Sequence, residues 1–89
     1  MIERELTVSN RLGLHARATA KLVQLLSGYD CNATLVAKGR EVNAKSIMGV
    51  MLLAAGQGTP VKLRVDGEDE EAAADAVTAL FERRFDEDQ

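Results

Sequence analysis

The sequence is poor in the residues from which metal and redox sites are built. Its 89 residues include one cysteine, one histidine and no tryptophan. Cys31 has no partner for an internal disulfide or a CxxC pair, and one cysteine with one histidine is too few ligands for a zinc site. Cys31 is therefore interpreted as a small, partly buried strand residue of a protein in the reducing cytoplasm. No metal or other cofactor is expected.

The chain also lacks a basic surface stripe and a long hydrophobic run. Its net charge is −3, and no cluster of basic residues alternates with aromatic ones, which argues against nucleic acid as the main partner. Residues 46–61 are too few and too interrupted by glycine to span a bilayer, and the charged residues 1–5 do not resemble a signal peptide. A single domain over residues 1–89 is expected, too small for a deep active site.

Apolar residues recur along the chain at strand spacing and at helix spacing. Strands are predicted at residues 2–8, 31–37, 41–43 and 60–66, and helices at 16–27, 46–53 and from 67–71 to about 84. The order β-α-β-β-α-β-α predicts an α+β two-layer sandwich, in which an antiparallel sheet carries the helices on one face.

Two details of this prediction concern the ends of elements. A buried stripe on the last helix is predicted from Ala72, Ala76, Val77, Leu80 and Phe81. Residues 86–89 follow the last periodic segment and are predicted to fray.

Several familiar motifs are incomplete in this chain. Gly56-Gln57-Gly58 lacks the third glycine and the following helix of a dinucleotide-binding loop. The acidic run at residues 68–71 lacks the spacing of a calcium loop and suits the start of a helix. No serine lies in a recognisable hydrolase arrangement.

His15, the only histidine, stands immediately before the first predicted helix. One interpretation is structural, in which His15 simply ends a turn. The other is chemical, because the free N–H groups at a helix start attract anions and neutral imidazole is a good nucleophile. Arg17 and the amide of Ala16 could then hold a phosphoryl group, and small residues at 16, 18 and 20 would allow a partner to approach.

Ser46 and the apolar residues after it also permit two interpretations. Ser46 is predicted to cap the second helix. The side chains of Ile47, Met48 and Met51 could all face the core, but at 100° per residue they cannot share one narrow stripe with Val50 and Leu53. We therefore predict that Met48 is exposed.

Taken together, four segments of the chain resemble the histidine-containing phosphocarrier protein (HPr) family of the bacterial phosphotransferase system. They keep the family's spacing and extend over essentially the whole chain: Leu12-Gly13-Leu14-His15-Ala16-Arg17, Asn43-Ala44-Lys45-Ser46-Ile47-Met48, Gly56-Gln57-Gly58-Thr59 and Asp66-Gly67-Glu68-Asp69-Glu70.

The resemblance implies a fold and a set of roles. The fold is an open-faced sandwich with sheet order 1-4-2-3 and three helices on one face. His15 would accept a phosphoryl group on Nδ1 from enzyme I and pass it to an enzyme IIA, with Arg17 contacting the phosphate. Ser46 would be the serine modified by HPr kinase/phosphorylase, and partners would dock on Ala20, Ile47, Met48 and Met51.

Under this resemblance the protein is a monomeric relay and not an enzyme with its own small substrate. Two departures from the family pattern stand out. Ala18 replaces the usual proline, and Gly49 and Met51 replace polar or basic residues that are common on the second helix of sugar-branch members. The ending Phe85-Asp86-Glu87-Asp88 is more similar to the nitrogen-related branch (NPr). Two alternatives to the relay remain, a regulatory binding module of the same family, controlled at Ser46, and a structural α/β domain with an incidental histidine.

Overall fold

A computed structural model describes residues 1–87, and within them the predicted order of strands and helices is confirmed. The elements are β1 (Ile2–Thr7), α1 (Ala16–Ser27), β2 (Asn32–Ala37), β3 (Arg40–Asn43), α2 (Ile47–Leu52), β4 (Pro60–Asp66), α3 (Glu70–Glu82) and a short terminal turn (Arg84–Asp86). No helix in this part of the chain is long and apolar enough to cross a membrane.

The four strands form one antiparallel sheet in the order β1-β4-β2-β3, as the family resemblance implied. The strand β4, one of the two interior strands, buries Val61, Leu63 and Val65, whereas Lys62 and Arg64 between them are partly exposed. This alternation follows from the period of two along a strand, which directs one set of side chains to the core. The helices cover that apolar face, and the charged face remains open.

The helix α1 has the predicted bounds and packs Thr19, Leu22 and Leu26 into the core. Ala18 is also fully buried, so the expectation that it opens the surface to a partner is wrong. Of the three alanines at the helix start, only those at 16 and 20 retain solvent exposure. Ala18 thus occupies a core position, where alanine is an excellent helix residue.

The predicted stripe on α3 is partly wrong. Ala72 is exposed and Ala76 only half-buried, and the buried alanines are Ala73 and Ala74, together with the correctly predicted Val77, Leu80 and Phe81. Because adjacent positions are alanines of the same size and polarity, the sequence does not indicate which of them face the core. Packing of the helix against the sheet determines which are buried.

Asp86 and Glu87 are ordered, although they lie in the segment for which fraying was predicted. Arg84, Phe85 and Asp86 all adopt left-handed backbone conformations, with φ of 56°, 56° and 61°. This geometry costs about 1–2 kcal/mol for each residue with a side chain. Burial of the Phe85 ring, whose centroid lies 4.9 Å from that of Phe81, offsets part of the cost. Asp88 and Gln89 lie outside the described residues.

Cys31 packs as the sequence indicated. It lies one residue before β2 and exposes only 8% of its surface. Burial raises the pKa of its thiol above the ordinary value, which disfavours the reactive thiolate. Cys31 therefore fits a packing role and not a redox role.

Candidate functional site

A tight loop places the histidine. Gly13 has φ of +71°, and a Cβ built on it would lie 2.5 Å from the carbonyl oxygen of Ala55. The next amide, that of Leu14, donates to the same carbonyl at 2.9 Å. Only glycine accommodates both the left-handed backbone and this close approach. The loop therefore holds residue 15 at a fixed place beside the segment after α2.

His15 is the N-cap of α1, as predicted from its position in the sequence. Its backbone is extended and its carbonyl accepts the amide of Thr19 at 2.9 Å, which begins the helix. The preceding amides, those of residues 16–18, have no intrahelical acceptor. Such amides, together with the positive end of the helix dipole, are a favourable environment for an anion beside the imidazole.

The imidazole has a partner that the sequence did not predict. Nε2 of His15 lies 2.5 Å from Oε2 of Glu87, and the amide nitrogen of Asn10 donates to Oε1 of the same carboxylate at 3.1 Å. Burial tends to raise the pKa of Glu87, but the bonds from Asn10 and His15 outweigh it and hold this pKa below its ordinary value. Glu87 is therefore a carboxylate near neutral pH.

The contact makes the site less open than the sequence predicted. The side chain of His15 is 29% exposed and that of Glu87 is 17% exposed. Both lie in one cleft whose cations outnumber its carboxylates. The lining residues are Arg11, Leu12, His15, Ala16, Arg17, Lys21, Asp86 and Glu87. The structure thus brings His15, Ala16 and Arg17 together, as expected.

The helix α2 confirms the predicted cap and the predicted exposure. Oγ of Ser46 accepts the amide of Gly49 at 3.1 Å. Val50 faces the core, whereas Met48 is 76% exposed. The other exposed apolar residues of α2 are Ile47, Met51 and Leu52. Since α1 and α2 pack together, this patch and half-buried Ala20 belong to adjacent helices.

Several residues of this region were not predicted as site residues from the sequence. Asn10 and Glu87 are separated by 77 positions and meet only through the fold. Lys21, which donates to the carbonyl of Phe85 at 2.7 Å, carries no local pattern that would pair it with the chain end. Leu12 lines the cleft and is 68% exposed. Its exposure could have been predicted, because an apolar residue in a loop has no strand or helix face that would direct it to the core.

Comparisons with known proteins give matches over almost the full length of this chain. The model of the PTS-HPr family, described as the PTS HPr component phosphorylation site, matches residues 2–83. The phosphocarrier protein HPr of Xylella fastidiosa strain Temecula1 is 68% identical, over 99% of both chains. The phosphocarrier protein NPr of Shewanella violacea is 42% identical, over 97% of this chain and 94% of that protein.

Solved structures give the same result. HPr from Thermoanaerobacter tengcongensis superposes with a TM-score of 0.96 at 42% identity, covering both chains completely. Crh, the Bacillus subtilis catabolite repression HPr, gives a TM-score of 0.65 at 40% identity, over 88% of this chain and 93% of that one. Fold and site together define a small α+β protein with one histidine at a helix N-terminus. The chain belongs to the PTS-HPr family.

Proposed function

We propose that His15 carries the phosphoryl group of this phosphocarrier of the phosphoenolpyruvate-dependent phosphotransferase system. In this role it receives the group from enzyme I and passes it to a histidine of an enzyme IIA in the cytoplasm. The observation that carries the proposal is the position of the imidazole at the start of α1, in one cleft with Arg17 and the amide of Ala16. No other histidine exists in the chain to take this part.

The cleft supplies what phosphoryl transfer needs from a relay. Catalysis of such transfer depends on positioning and on stabilising charge over the phosphoryl oxygens. The free amides of the first helical turn and the guanidinium of Arg17 provide donors for those oxygens. The site holds one substrate group between two larger proteins, so the chain acts as a relay and not as a free-standing enzyme.

Incubation with purified enzyme I and labelled phosphoenolpyruvate tests the proposal. Stoichiometric, acid-labile labelling that depends on His15 is the expected result. Transfer of the label to an added enzyme IIA should follow. Absence of any label under conditions in which enzyme I labels itself would contradict the carrier function and favour a regulatory binding module, since such a relative has no need of His15.

Arg17→Ala should slow phosphoryl transfer and leave stability nearly unchanged. Arg17 is exposed, so it contributes little to folding, whereas a charge-assisted contact to phosphate contributes about 1.5–3 kcal/mol. We expect transfer from enzyme I to fall by roughly one to two orders of magnitude. Single-turnover labelling would measure this.

The control for this variant is Lys62→Ala, which removes one positive charge from the middle of β4, on the open face of the sheet. It should transfer at the wild-type rate. Equal rates for Arg17→Ala and Lys62→Ala would remove Arg17 from the site.

Partners are proposed to dock on the exposed apolar face of α2 together with Ala20. Met48 is the most exposed member, and an isolated apolar patch beside a reactive group is typical of a transient interface. A modest patch suits a relay, because each complex must dissociate before the next can form.

Phosphorylation of Ser46 is proposed to regulate this docking. Ser46 already caps α2, so a phosphate there would gain from the unpaired amides and the fold should tolerate it. The added charge of about −1.5 to −2 would stand beside Ile47 and Met48, where burial against a partner is costly.

Ser46→Asp should therefore fold normally and accept phosphate from enzyme I much more slowly, through weaker binding. The measurement is the dependence of the labelling rate on the concentration of this protein. Ser46→Asn is the matched control, because asparagine caps a helix equally well and carries no charge. If both variants give the wild-type curve, Ser46 is a helix cap only.

A further inference from the structure

We propose that Glu87 is a positioning residue for phosphoryl transfer. Its carboxylate holds the imidazole of His15 with the proton on Nε2, which leaves the lone pair on Nδ1 to attack phosphorus. This inference rests on the proposed function of His15 and goes beyond it, because it explains which ring nitrogen reacts. Four features of the structure support it.

The first feature is the contact between His15 and Glu87. A separation of 2.5 Å between Nε2 and Oε2 requires one proton between the two atoms. The pKa of Glu87 lies below its ordinary value, so near neutral pH that proton belongs to the ring nitrogen. A neutral imidazole carries one proton, and with Nε2 protonated Nδ1 is the nucleophile.

The second feature is the support of the carboxylate by Asn10. Its amide nitrogen donates to Oε1 of Glu87 at 3.1 Å and to the carbonyl of Gly13 at 2.7 Å. Both partners are acceptors, so the nitrogen and not the oxygen of the amide must occupy this position. Asn10 thereby links the carboxylate to the same loop that places His15.

The third feature is the burial of Asn10, which has no solvent exposure. Among the described residues its amide oxygen is buried without a hydrogen-bond partner. Leaving such an atom unsatisfied costs about 1–3 kcal/mol. A side chain kept at this cost solely for its two donated bonds is expected where those bonds have a function.

The fourth feature is the left-handed turn at Arg84–Asp86, which directs the chain end back to His15. Phe85 anchors it in the core, and Lys21 of α1 donates to the Phe85 carbonyl at 2.7 Å. Strained backbone that the surrounding structure over-determines is typical of functional sites. Here the strained turn places Glu87 beside His15.

The transfer step balances with this assignment. The bond between phosphorus and the donor histidine of enzyme I breaks as the bond between phosphorus and Nδ1 of His15 forms. His15 keeps its proton on Nε2 and becomes a phosphorylated imidazolium, while the donor ring recovers its lone pair. Glu87 then faces the new positive charge on the ring, as the carboxylate of a catalytic triad does.

Three variants test the inference. Glu87→Ala removes the acceptor, Glu87→Gln keeps a neutral one, and Glu82→Gln removes an equal charge from the exposed side of α3. Nitrogen-15 NMR of the His15 ring reports which nitrogen carries the proton, independently of any transfer. Labelling by enzyme I reports the rate.

We expect the wild-type ring to be protonated on Nε2, and Glu87→Ala to lose this preference and to accept phosphate about tenfold or more slowly. Glu87→Gln should keep the proton on Nε2 and accept phosphate at a rate between those of wild type and Glu87→Ala. Glu82→Gln should match wild type in both measurements. The inference would be overturned if Glu87→Ala were labelled as fast as wild type or faster, or if its His15 ring were still protonated on Nε2. If wild type itself is never labelled, the proposed function fails instead.

Discussion

His15→Ala should abolish phosphoryl acceptance from enzyme I, with no label detectable above background. The variant lacks the sole imidazole of the chain, which is the proposed phosphoryl acceptor. The measurement is labelling with phosphoenolpyruvate and enzyme I, followed by separation of the proteins. We expect an all-or-none effect because the substitution removes the proposed acceptor atom itself.

The same substitution should leave the fold intact. His15 is partly exposed and caps α1 through its backbone, a contact that alanine can also make. Loss of the bond to Glu87 should lower the free energy of unfolding by about 1 kcal/mol. Circular dichroism and a thermal melt would check this, and an unfolded variant would favour a purely structural role for the histidine.

Gly13→Ala should produce the largest loss of stability among the variants of the loop. Its left-handed backbone alone would cost alanine about 1–3 kcal/mol. The added methyl group would also meet the carbonyl of Ala55 at 2.5 Å and Gly56 at 2.7 Å, both of them backbone atoms that cannot swing away. Relief of this clash must displace the loop that carries His15, so slower labelling by enzyme I should accompany the loss.

Gly39→Ala is the matched control for this prediction. Gly39 has almost the same backbone conformation, with φ of +76° against +71° for Gly13, but nothing lies within 4 Å of its added Cβ. It should therefore show the conformational cost alone, and urea titrations of both variants would isolate the cost of the close approach. If Gly13→Ala and Gly39→Ala had equal urea unfolding midpoints, the loop would have to move away from Ala55 without cost.

The fold could be predicted from the sequence where local patterns and end signals agree. The bounds of α1 follow from helical periodicity between His15 and Gly28, and Ser46 before an apolar run correctly indicates the start of α2. The antiparallel hairpin of β2 and β3 follows from the glycine-containing turn between the two predicted strands. Both Lys38 and Gly39 have positive φ there, as a type I′ turn requires. In each case the deciding residues are neighbours in sequence.

The prediction failed where the outcome depends on distant residues. Residues 86–89 were predicted to fray, and only the burial of Phe85 against Phe81 explains the turn that ends at Asp86. For the same reason His15 and Arg17 were predicted to form a site, but the contact of His15 with Glu87, 72 positions away, was not predicted. No periodicity marks a contact between a helix start and a chain end.

The pairing of β1 with β4 affects how the domain acquires its structure. Ile2 lies opposite Val65, so the first strand synthesised has no partner in the sheet until nearly three quarters of the chain exists. Contacts so remote in sequence close large loops and slow the folding reaction. The loop that carries His15 follows directly from this strand, and its Leu14 amide donates a hydrogen bond to the carbonyl of Ala55. A peptide of residues 10–28 should therefore be a poor phosphate acceptor, since the reactive geometry arises only when the entire domain assembles.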